Sequence, residues 1–166
     1  MNKKARQYLG LLLAVVAYYI IHEGAHLLYA LAIGVFKRIN FLGLGIQIDV
    51  YTEKMTDVQI GVFCLVGATA TLAAAWLLTA FREKICKVKS PVFRAAAYYI
   101  TIAMLFVDPL YLSILCVFFG GGDMNGISLL LPETAARILF AVIGVLHAFA
   151  FMKLVLPAYQ VSFRKV

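Results

Sequence analysis

The sequence predicts an all-α polytopic membrane protein: about four transmembrane helices, a small β-strand or hairpin, and a broken or re-entrant segment near the site of chemistry. All of it forms one membrane-embedded domain, residues 1–166. Three observations predict this. Of 166 residues, 64% are hydrophobic and 14% charged, with mean hydropathy +0.94. A soluble domain is nearer half apolar and about a quarter charged, so a water-soluble globule, a disordered tail and a disulfide scaffold are excluded. A bilayer core of about 30 Å takes roughly 20 apolar residues per helical crossing, which leaves room for four. The third observation is where the charges fall. Lys3, Lys4, Arg6, Arg82, Lys84, Lys87, Lys89, Arg94, Lys153, Arg164 and Lys165 lie on one side of a four-crossing arrangement, against Lys37, Arg38, Lys54 and Arg137 on the other. That bias is the positive-inside signature. It predicts a cytoplasmic N-terminus and makes the formal charge of +7 a topology determinant, not a nucleic-acid surface.

Helix 1 is expected from about Tyr8 to Gly34. The start, MNKKARQ before an apolar run, is similar to a signal peptide, but no small-residue cleavage site closes the run, so a retained helix is expected. A polar interval follows in which Leu44, Ile46, Ile48 and Val50 alternate with Gly45, Gln47 and Asp49. Period-two alternation after a glycine pair reads as a β-strand over Gly45–Tyr51, half of a hairpin at the membrane surface. Helix 2 is expected from about Asp57 to Phe81, with a packing face of small residues, Gly67-Ala68-Thr69-Ala70-Thr71. Pro91 suits the start of helix 3. The stretch Val92–Leu131 is too long for one crossing and too short for two. Asp108-Pro109 interrupts it, and so does Gly120-Gly121-Gly122-Asp123. Broken backbone at membrane depth needs protein or a water-filled cavity for hydrogen-bond partners, so a kinked helix 3 and then an irregular or re-entrant segment are expected. Helix 4 is expected from about Glu133 to Leu156. Cys64, Cys86 and Cys116 are odd in number with no paired spacing and read as inert thiols.

His22-Glu23-Gly24-Ala25-His26 carries the chemistry. Residues four apart share a helical face about 5–6 Å apart, so both imidazoles can bind one metal at about 2.0–2.1 Å. The glutamate beside the first histidine can take a proton from a water that the metal activates. An acidic group at mid-membrane costs about 2.5 kcal/mol or more, so an idle polar cluster is not expected inside an apolar helix. His22 lies roughly 21 Å along the axis from Tyr8 at about 1.5 Å per residue, within the hydrocarbon zone. A catalytic zinc takes three protein ligands and an open position. The candidates for the third are Asp108, Asp123 and His147. Asp108 matches His22 in depth, Asp123 follows three glycines that permit close backbone approach, and His147 is a lone histidine on helix 4. Spacing alone leaves the two aspartates even.

These residues resemble the site-2 protease family of intramembrane zinc metalloproteases, in its compact bacterial form. His22-Glu23-Gly24-Ala25-His26 matches the family's HExxH helix. Val66-Gly67-Ala68-Thr69-Ala70-Thr71 is similar to its small-residue AGPxxN motif, with Ala68 in place of proline and Thr71 in place of asparagine. Gly121-Gly122-Asp123 is similar to the motif that supplies the third ligand, with Met124 where glycine is usual. The resemblance implies Zn2+ held by His22, His26 and Asp123, with Asp108 behind them or as substitute, and Glu23 as general base. It implies a strand beside the site that holds substrate extended, here Gly45–Tyr51. It also implies a transmembrane protein or peptide substrate and a bacterial inner membrane, with lipid and no nucleic acid as surroundings. The rival expectation is a non-catalytic zinc-binding membrane protein, a metal carrier or a degenerate protease scaffold. A structural membrane subunit without metal is a third.

Overall fold

The structure is a computed structural model and describes residues 2–42, 45–120 and 122–164. Leu44, Gly121 and Lys165, which entered the sequence reading, lie outside them. Helix α1 (Lys3–Ala32) begins five residues before the expected start, because Asn2 accepts the Ala5 N–H at 2.8 Å and caps a basic first turn. It ends before Gly34, whose φ of +72° only glycine adopts at low cost. Strands β1 (Phe36–Leu42) and β2 (Gly45–Val50) form an antiparallel hairpin. β2 was legible from its alternation. β1 was not, because a register shift between Phe36 and Arg38 breaks its period and sets Lys37 and Arg38 side by side. Both bases pair with Asp49 across the hairpin, Lys37 at 3.5 Å and Arg38 at 3.2 Å.

Helix α2 (Asp57–Cys86) opens on a capping box, Thr56 and Gln59 satisfying each other's backbone N–H groups. It continues through Arg82-Glu83-Lys84 beyond the expected Phe81, so the link to the next helix is short. Helix α3 (Pro91–Leu110) starts on a Ser90 cap with proline in its first turn and contains Pro109. Just past Asp108-Pro109, where the sequence places an interruption, the chain runs through a single π turn, Tyr111–Leu115, into helix α4 (Cys116–Phe119). The Ser113 hydroxyl donates to the Pro109 carbonyl at 2.5 Å, and Arg137 Nε to the Ser113 carbonyl at 3.1 Å, so the loosened ladder finds side-chain partners. Helix α5 (Gly122–Ile127) is the expected re-entrant piece. Helix α6 (Glu133–Ala150) passes through a second π turn, Phe151–Val155, into helix α7 (Leu156–Arg164), eight residues beyond the expected end.

Four helical rods, Lys3–Ala32, Asp57–Cys86, Pro91–Phe119 and Glu133–Arg164, are long and apolar enough to cross a membrane. The chain is a multi-pass, all-α membrane protein. Large apolar side chains such as Leu28, Phe118, Val145 and Phe149 stand exposed on the outside of the bundle, as a lipid-facing surface requires. Lipid is as apolar as leucine, so these helices must be held by close packing of small residues. A Cβ on Gly10 would meet Tyr99 Cδ2 at 2.7 Å, and one on Gly126 would meet Cys64. The second contact seats α5 directly on α2, with Met124 and Ile127 buried among Cys64, Ala68, Leu112 and Phe140.

Candidate metal centre

One turn of α1 brings His22 and His26 together, ring centroids 4.9 Å apart, both buried. Each ring is oriented through its Nδ1. His26 Nδ1 lies 2.7 Å from the Phe63 carbonyl. A carbonyl only accepts, so Nδ1 carries the proton and Nε2 keeps its lone pair. His22 Nδ1 lies 3.2 Å from Asp108 Oδ1 and 3.3 Å from Tyr18 Oη, which favour a proton on that nitrogen once Nε2 binds a cation. Both free nitrogens then face α5, where Asp123 Oδ2 is 3.2 Å from His22 Nε2 and Asp123 Oδ1 is 3.7 Å from His26 Nε2. Ligand atoms of the three residues all lie within 4.8 Å of one another. Donors about 2.0–2.2 Å from a tetrahedral zinc stand roughly 3.4 Å apart, so this donor set fits the ion with small adjustment.

Three features of the chain build this arrangement. Gly67 of α2 lies against the imidazoles, where a Cβ would stand 2.5 Å from His26 Nε2 and 2.7 Å from His22 Nε2. The small-residue stretch therefore makes room for the site as well as packing the bundle. Asp108, fully buried, accepts from Tyr18 Oη at 2.6 Å and from the Thr71 hydroxyl, so its carboxylate is held while it holds His22. The turn ahead of Asp123 runs through Gly120, at φ +84°, and Tyr111 Oη donates to its carbonyl at 2.7 Å.

Of the three candidates for third ligand, Asp123 joins the histidines. Asp108 stands behind His22, and His147 does neither: its Nδ1 meets the Leu105 carbonyl at 2.7 Å and its ring packs edge-on against Trp76. Tyr18 and Tyr111 gave no signal in the sequence, since a tyrosine in an apolar helix reads as ordinary core. Thr71 was visible as a small residue and as the replacement for asparagine in the AGPxxN-like motif, with no partner named for it. Glu23 sits with both histidines, Asp108 and Asp123 around a cavity of about 450 Å³, and Gln47 and Ile48 of β2 form part of its wall. In the two-stranded sheet β2 pairs only with β1, so one of its edges carries no strand among the described residues.

The sequence matches no protein-family model, and it has no match among curated proteins or solved structures.

Proposed function

We propose that the protein is an intramembrane zinc metalloprotease that cleaves a transmembrane segment of another membrane protein. The observation that carries this reading is the convergence of two imidazole lone pairs and the Asp123 carboxylate at membrane depth, with Glu23 on the same cavity wall. Zinc held by His22, His26 and Asp123 would supply a Lewis acid that polarises the scissile carbonyl and acidifies a water. Glu23 accepts that water's proton and returns it to the departing amine. The unpaired edge of β2 offers main-chain hydrogen bonds to an extended peptide, so a substrate helix unwinds where it meets Gln47 and Ile48. The Phe63 carbonyl and Asp108 keep both rings in one tautomer throughout.

The eleven-to-four distribution of basic residues supports an N-terminus on the cytoplasmic side, and the resemblance to compact bacterial proteases supports a bacterial inner membrane. A purely metal-binding protein would share the ligand set but has no use for a carboxylate beside it. The test is Glu23→Gln against Asp123→Asn. The first is expected to keep zinc, measured by elemental analysis, and lose cleavage of a transmembrane model peptide by about a thousandfold or more. The second is expected to lose both. Cleavage persisting in Glu23→Gln removes Glu23 from the reaction. An unreactive parent with full zinc content leaves the binding protein as the answer.

A further inference from the structure

A second cleft, of about 560 Å³, lies where the first turns of α1, the start of α3 and the end of α7 meet. Lys3, Arg6 and Arg164 line it, no acidic side chain does, and none of the three is in an ion pair among the described residues. Its wall is aromatic. The rings of Tyr98, Tyr159 and Phe163 stand 5.0–5.9 Å apart, Tyr98 meeting Phe163 at 90°. Tyr159, 1% exposed, backs this wall from within the bundle.

Depth indicates what fills the cleft. Helix α1 has 30 residues, about 45 Å at 1.5 Å per residue against a hydrocarbon core of about 30 Å. Its first turns, with Lys3 and Arg6, therefore reach the headgroup layer. Concave basic clusters between helices at that level bind lipid phosphates, and aromatic rings sit at the same level by preference. We infer that this cleft binds the phosphodiester headgroup of an anionic phospholipid. The phosphate oxygens accept from Lys3, Arg6 and Arg164, and the aromatic wall covers the glycerol and upper acyl chain. This inference stands apart from the metal centre and is unaffected if that centre is inert.

Native mass spectrometry of the full chain in detergent tests it, with dioleoyl phosphatidylglycerol, dioleoyl phosphatidylcholine and inorganic phosphate as probes. One phosphatidylglycerol per chain is expected to be retained, phosphatidylcholine to be lost, and inorganic phosphate to leave the bound lipid in place. The variant Lys3→Gln/Arg6→Gln/Arg164→Gln is expected to bind about a hundredfold more weakly, each charge counting for roughly a factor of five. The charge-matched variant Lys84→Gln/Lys87→Gln/Lys89→Gln is expected to bind as the parent does. Arg6→Gln alone, which removes one charge from the cleft wall, is expected to weaken binding about fivefold and decides the matter should the triple variant fail to fold. Equal retention of both lipids, equal loss in the two triple variants, or unchanged binding in Arg6→Gln overturns the site. Displacement by inorganic phosphate alone overturns the lipid as its ligand.

Discussion

Around His22 and His26, ring nitrogens, hydroxyls and carboxylates meet one another. Tyr18 and Thr71 donate to Asp108, Asp108 faces His22, and Phe63 accepts from His26. At the opposite end of the same rods, Lys3, Arg6 and Arg164 line one cleft and none of them is in an ion pair among the described residues. The difference follows from depth. In the hydrocarbon zone an unmatched polar group costs several kcal/mol, so a site there must be complete in its own side chains. Near the headgroups, lipid and water can supply the missing half of a hydrogen bond, and the chain leaves groups open. The candidate metal site is thus preorganised and the basic cleft is receptive.

The most damaging way to break the preorganised end is to take its space. Gly67→Ala places a methyl within 3 Å of both Nε2 atoms, and neither ring can retreat without leaving Phe63 or Asp108. Zinc content is expected to fall to background and cleavage by at least about a hundredfold, the cost of a displacement near 1 Å. Gly24→Ala is the control. It lies between the two histidines, yet its Cβ would meet nothing within 4 Å, so zinc should stay, with up to about 1 kcal/mol of added helix stability. Equal zinc in the two variants would mean that α2 does not confine the site.

A smaller effect separates the two aspartates. Asp108→Asn leaves the three ligands in place and removes the carboxylate that orients His22, so zinc affinity is expected to drop about 10–100-fold, the usual loss for such a partner. Asp123→Asn should abolish binding instead. Competition against a calibrated chelator reads both. If Asp108→Asn loses metal as completely as Asp123→Asn, Asp108 is itself a ligand.

These expectations also mark what the sequence could and could not carry. The histidines and Glu23 were legible because a helix fixes the distance between positions four apart whatever surrounds it. From spacing alone Asp123 was legible only as one of three candidates, and it took the resemblance of Gly121-Gly122-Asp123 to single it out, since its approach to α1 depends on α5 docking through Gly126 onto Cys64, a contact between residues far apart in the chain. The four rods were legible from hydropathy, but not their ends: α2 runs on through Arg82 and α7 to Arg164 because charged residues at the membrane surface are no obstacle to helix. The π turns after Pro109 and Ala150 left no trace, as no residue type demands one. Tyr18 was silent, and the contact Thr71 makes was hidden, for a related reason. A hydroxyl in an apolar helix acquires meaning only from what stands opposite.

Two threonines on α2 sharpen the comparison at its finest scale. Thr71 and Thr79 are both buried, and both are β-branched, so replacement by valine keeps shape and rotamer restriction. At Thr71 the hydroxyl donates to Asp108. Thr71→Val leaves a buried carboxylate short of a donor and should cost about 1.5–3 kcal/mol, the range for hydrogen bonds to charged groups. At Thr79 the hydroxyl serves nothing. Thr79→Val removes a desolvated polar group without breaking a bond and should raise stability by about 1 kcal/mol with zinc content unchanged. Unfolding in mixed micelles measures both. A loss of stability in Thr79→Val would mean that its hydroxyl is hydrogen-bonded in the folded protein, and the two threonines would then differ in degree alone.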